Sequence, residues 1–167
     1  MFNNYYNITL TEEGNYVIIV DGLDELSVDE LSVDDFGSGT KFIKIPRKIA
    51  NVGNYIILET PNINITGYSG HITSDTNPII VPDKWKGLFQ NGTNGATGIC
   101  NNYQISNIHI KCQGTLETYG GGICRDYFGR EQDSSANLIE NCSFQGIIGG
   151  SAGGICGNSC CHSGGKV

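Results

Sequence analysis

The chain of 167 residues carries 24 glycines, 22 isoleucines and 17 asparagines, against 8 leucines. Charged residues are 16% of it, below the roughly 25% of an ordinary globular domain, and the formal net charge is −7. This balance excludes a helical bundle, the 38% apolar content excludes disorder, and glycines without a period of three exclude collagen. One all-β domain rich in turns remains.

The net charge comes from one end. Residues 1–40 hold nine acids and no base, whereas residues 41–167 hold ten bases and eight acids. No basic stripe exists to release counterions from a phosphate backbone, so no nucleic-acid partner is expected. The cluster Lys41, Lys44, Arg47 and Lys48 follows the acidic stretch and answers it. No run approaches 18 apolar residues, so no membrane insertion is expected. The first ten residues lack the basic and apolar regions of a secretory signal. Seven cysteines without such a signal point to a reducing compartment and reduced thiols. Sequons at Asn7, Asn64, Asn91 and Asn141 carry little weight in so asparagine-rich a chain.

In chain order, strands are predicted at 16–20, 41–45, 55–58, 62–66 and 79–81, punctuated by Gly, Asn, Asp or Pro. Between the first two lies a tandem duplication, Leu26-Ser-Val-Asp-Glu30 and Leu31-Ser-Val-Asp-Asp35. A short helix there would set Leu23, Leu26 and Leu31 on one side. The run 21–35 lacks the alternating oxygen ligands of a calcium loop and is read as a solvated face. The second half repeats itself. Gly98-Ile-Cys100, Gly122-Ile-Cys124 and Gly154-Ile-Cys156 recur at spacings of 24 and 32 residues, the last two as Gly-Gly-Ile-Cys. A second series matches Asn107-Ile-His-Ile-Lys-Cys-Gln-Gly114 to Asn137-Leu-Ile-Glu-Asn-Cys-Ser-Phe-Gln-Gly146, and Asn62-Ile-Asn-Ile-Thr-Gly67 is a degenerate earlier copy. Interleaved motifs at such a period are the mark of a solenoid. Leucine-rich and helical repeats are excluded by the scarce leucines and absent 3.6 periodicity, which leaves a parallel β-helix of five or six coils. Ile99, Ile123 and Ile155 are expected to form one inward ladder, and Cys112 with Cys142 another.

The pattern Ile-Glu-Asn-Cys-Ser-Phe-x-Gly at 139–146, alternating with Gly-Gly-Ile-Cys, resembles the right-handed parallel β-helix proteins of the pectin-lyase-like superfamily. Among these it is most similar to the Gly-Gly-Ile-Cys repeat proteins encoded by large DNA viruses of amoebae. The match covers 88–167 well and 55–87 loosely. The resemblance implies an all-β, right-handed parallel β-helix, with residues 1–54 as an acidic N-terminal cap and first strands and 55–167 as coils. It also implies an asparagine ladder at a tight turn, where Asn141 fits and Lys111 interrupts. The implied role is a non-catalytic structural or surface-binding element that associates with itself or other virion proteins, in the virion or host cytoplasm.

The alternative is a carbohydrate-active lyase or glycoside hydrolase. An inverting hydrolase needs two carboxyls about 6.5–9.5 Å apart, and a lyase needs a base and a carboxylate-bound cation. The dense polar run 125–133 supplies the candidates Arg125, Asp126, Glu131 and Asp133, although a solvated protruding loop is the better account of them. Trp85, the single tryptophan, is the candidate for stacking on a bound glycan. Cys156, Cys160, Cys161 and His162 have zinc-type donors, but one cluster lacks the second hook of a structural zinc site. No cofactor is expected. His71 and His109 read as surface residues with no adjacent nucleophile.

Overall fold

The computed structural model describes residues 7–21, 36–92, 102–129 and 137–160. The expected Leu23–Leu26–Leu31 helix and the Ile99 rung lie outside the described residues. Eleven strands are the described elements: β1 (Ile8–Leu10), β2 (Gly14–Asp21), β3 (Lys41–Pro46), β4 (Ile56–Leu58), β5 (Ile63–Gly67), β6 (Ile79–Val81), β7 (Phe89–Asn91), β8 (Gln104–Ser106), β9 (His109–Thr115), β10 (Leu138–Glu140) and β11 (Ser143–Ile147). All five strands predicted between residues 16 and 81 are present. The strands form three sheets, ordered β1-β4-β7, β10-β8-β5-β2-β3 and β11-β9-β6, and every pairing is parallel. Strands β4, β5 and β6 step through the three sheets as one coil, and β7, β8 and β9 as the next. The protein is a parallel β-solenoid. No helix among the described residues is long and apolar enough to cross a membrane.

Alternation explains the coil. In β5, Ile63 and Ile65 are buried while Asn64 between them is exposed. Stacking then puts like on like, with Tyr16, Ile65, Ile105 and Ile139 forming one inward column and Ile79, Ile110 and Phe144 another. A fully buried isoleucine is worth about 1.5–3 kcal/mol over an exposed one, so these columns dominate stability. A smaller outer cluster buries Val17 and Ile19, on the opposite face of β2, beneath Phe36, Phe42 and Tyr68.

Three expectations need correction. The coil is longer than 24 residues: Ile56 pairs with Phe89, Phe89 with Cys124, and Cys124 with Cys156, which are steps of 33, 35 and 32. The Ile155 carbonyl accepts from the Ile123 amide at 2.9 Å, as expected, but the rung on the other side of Ile123 is Leu88 (2.7 Å). Next, Cys112 and Cys142 do not stack. Ser143 pairs with His109 and Phe144 with Ile110, which sets Cys142 beside Ile108, while Cys112 pairs with Val81. Matching the copies by cysteine misplaced the register, because the corner, not the thiol, is the repeated feature. Finally, Asn141 lies over Asn107 and donates its amide to that side chain, both at positive φ (48° and 57°). Asparagine tolerates this left-handed geometry better than most residues. Lys111 pairs with Gln145 and interrupts nothing.

The N-terminal end departs from simple winding. β1 pairs with β4 at the edge of its sheet, whereas β2 pairs with β5 on one side and β3 on the other. β3 follows β2 in the chain yet lies on its outer side. The chain then returns to the third sheet, where Lys48 bridges Ile80. Lys41 of β3 pairs with Glu12, and Arg47 donates to the carbonyls of His71, Asn77 and Pro78. The basic cluster is thus split between the acidic end and the backbone of the next coil.

Candidate functional site

The run beginning at Arg125 folds inward over the part described. Arg125 is 8% exposed; its Nε donates to the Gly87 carbonyl at 3.1 Å, and a terminal nitrogen donates to the Val52 carbonyl at 2.7 Å. Its guanidinium stacks 3.5 Å from the centre of the Tyr55 ring. Burial lowers its pKa to about 10, so it stays charged at neutral pH. Phe128 is fully buried against Tyr103 at a centroid distance of 5.7 Å. Arg125 is therefore an internal staple across coils and lies outside any solvated loop. Asp126 is half-buried beside it. Glu131 and Asp133 lie outside the described residues.

Trp85, the candidate for glycan stacking, lies in the core. It is fully buried, and its indole nitrogen donates to the Gly122 carbonyl at 3.0 Å. A side chain with no exposed face has no surface to stack on a sugar. His71 is also interior, 3% exposed, edge-on to Tyr68 at 4.7 Å, with Nδ1 lacking a hydrogen-bond partner. Burial and the charge of Arg47 push its pKa down. His109 Nδ1 lies 2.8 Å from Ser143 Oγ, a contact made by the coil register and absent from local sequence. Burial lowers the His109 pKa, keeping the ring neutral near physiological pH. The pair is a rung between adjacent coils. The Asn91 sequon is likewise interior, its side chain 1% exposed with both polar atoms unpartnered.

The described chemistry concentrates where Gly121 to Cys124 lies beside Gly153 to Cys156. Gly121 bridges Gly153 and Cys124 bridges Cys156. A Cβ on Gly121 would run into the Cys124 carbonyl oxygen, and one on Gly153 into that of Cys156. The motif is therefore a hairpin-tight corner that only glycine permits, with isoleucine and cysteine delivered to the interior. Cys156 receives thiol hydrogen bonds from Cys124 across the coil and from Cys160 in the following turn, and these two donors lower its pKa well below the usual thiol range. Cys142 behaves oppositely: burial pushes it up to about 11, and its thiol donates to the Glu140 carbonyl at 3.2 Å. Sequence spacing joined Cys156 to Cys160, and the recurrence of Gly-Gly-Ile-Cys set Cys124 on the rung beside Cys156. Among the described residues, no group of three or more His, Cys, Asp or Glu side chains is arranged to hold a metal ion. Cys161 and His162 lie outside them.

The fold and the packed motif define a parallel β-solenoid with a partly buried thiol cluster. No family model, no curated protein and no solved structure matches the chain.

Proposed function

We propose that this chain is a non-catalytic structural element that self-associates through the end of its solenoid. The observation that carries the reading is the contrast between the two ends. Among the described residues, β10 and β11 are outermost in their sheets, and Ile147 and Ile148 beside this edge are 63% and 52% exposed. An apolar residue row beside an open strand edge is a template for association. At the opposite end the outermost strands are β1, β3 and β6, and of these β3 carries Lys41, Lys44 and Pro46, residues that discourage edge pairing. The virion role follows from the likeness to the Gly-Gly-Ile-Cys repeat proteins of amoebal DNA viruses and would place the partner among virion proteins.

The carbohydrate-enzyme reading loses support because Arg125 and Trp85 are spent on internal bonds. Sedimentation velocity across a concentration series tests the proposal. Oligomers that grow with concentration, and are lost in the Ile147→Lys, Ile148→Lys double variant, are the expected result. A monomer at every concentration overturns self-association. Reducing-end release from a polysaccharide panel, abolished by Asp126→Asn, would overturn the non-catalytic reading, and absence from purified particles would remove the virion role.

A further inference from the structure

Cys124 and Cys156 are register partners in adjacent parallel strands. Such partners stand about 4.8 Å apart, inside the roughly 4.4–6.8 Å that a disulfide spans between Cα atoms. Cys156 is half-buried and reachable at the edge of the last described coil, whereas Cys124 is wholly buried beneath it. Cys160 follows Cys156 in a turn closed by its own amide on the Gly157 carbonyl at 3.3 Å. Both flanking thiols donate to the Cys156 sulfur. The remaining described thiols are placed differently: Cys112 donates to the Pro82 carbonyl at 3.3 Å and Cys142 to that of Glu140. Each gives its proton to a carbonyl, which favours the neutral thiol. Burial outweighs the backbone amides that donate to Cys112 and Cys142 and keeps both as thiols, whereas Cys156 stands between two thiol donors, which favours the thiolate, the form that reacts.

We propose that Cys156 is a hydroperoxide-reactive thiolate and that Cys124 resolves it into a disulfide joining the last two described coils. In the first step, Cys156 Sγ attacks the terminal oxygen of the hydroperoxide. An S–O bond forms, the O–O bond breaks, and hydroxide leaves when the oxidant is hydrogen peroxide. Cys124 Sγ then attacks the sulfenic sulfur. The S–S bond forms, the S–O bond breaks, and the departing hydroxide takes the Cys124 proton as water. Two thiols lose two electrons, and one peroxide is reduced to two waters. Cys160 is a positioning residue, a second donor that holds the thiolate. The inference is independent of the structural role proposed above.

The test uses the full chain. The reduced protein receives one equivalent of hydrogen peroxide at pH 7, is alkylated, digested without reductant and mapped by mass spectrometry. A Cys124–Cys156 linked peptide is expected, with Cys112 and Cys142 still alkylated. A disulfide closing a loop of this length raises the melting temperature by about 10 °C, and dithiothreitol should reverse it. Competitive alkylation at pH 6 should label Cys156 at least tenfold faster than Cys112, and Cys160→Ser should narrow that ratio. A link from Cys156 to any other cysteine overturns the proposal, as does sulfinic acid at Cys156 without a link, or equal labelling of Cys156 and Cys112. The first and second readouts need no variant to fold.

Discussion

Replacing Arg125 by methionine keeps most of the aliphatic stem and removes the guanidinium, which sets three effects against each other. The carbonyls of Gly87 and Val52 lose their donors, at about 2 kcal/mol each for buried unpaired acceptors. Stacking on Tyr55 goes as well, about 1 kcal/mol. Against this total of about 5 kcal/mol stands relief from burying a charge. The fall of the arginine pKa from 12.5 to about 10 converts at 1.36 kcal/mol per unit to about 3 kcal/mol. The bonds win by about 2 kcal/mol, so Arg125→Met should unfold at lower denaturant. Urea titration followed by far-ultraviolet circular dichroism reads the difference as a shift in midpoint at unchanged slope. A variant as stable as the parent would show that desolvation outweighs the hydrogen bonds and would refute the reasoning. A changed slope would show that the staple sets the cooperativity between coils.

Gly121→Ala forces a Cβ into backbone atoms of Cys124, Cys156 and Gly157 and should cost about 3 kcal/mol. Gly154→Ala meets only the flexible end of Ile148 at 3.1 Å and should cost under about 1 kcal/mol; equal losses in urea titration would contradict this corner geometry. The depressed pKa of His71 means that the unfolded chain takes its proton first as pH falls. Its contribution to stability is full above the ordinary value of 6.5 and is lost on acidification toward the folded pKa, at no more than about 1.4 kcal/mol per pH unit. His71→Phe should flatten part of the fall in melting temperature between pH 7 and pH 5, and an undiminished fall would count against it. Trp85 is wholly buried, so acrylamide should quench its fluorescence weakly in the folded protein and strongly in urea. Equal quenching in the two states would place the ring outside the core.

Strand positions were legible because alternation is local: Ile63, Asn64 and Ile65 declare their faces without reference to anything distant. The packing of Gly121–Cys124 on Gly153–Cys156 was legible for a different reason, since identical residues in identical corners stack. What escaped local reading was contact across coils. Trp85 sits in Asp83-Lys84-Trp85-Lys86, which reads as polar surface, yet its partner is a carbonyl 37 residues away. Arg125 looked like an exposed or reactive charge because its acceptors lie 38 and 73 residues upstream. The coil length was misjudged for a related reason: motif spacing alone does not give the rung, and the described pairings step by 33, 35 and 32 residues. The thiol neighbours were both legible, Cys160 by spacing and Cys124 by the recurrence of its motif.

The placement of β3 outside β2 has a consequence for the order in which the protein can be made. As the chain leaves the ribosome, β2 emerges with neither neighbour available; β3 ends at residue 46, and β5 at residue 67. The partner of β1 is β4, whose Ile56 pairs with Ile8, and the third side of that level is closed only when Lys48 meets Ile80. The first described level thus draws on pairings that reach from Ile8 to Ile80, and such distant parallel pairings are slow to form. Later levels need only the coil already in place beneath them. β1 and β2 thus wait for strands that follow them in the chain, while each later described level adds onto one already closed.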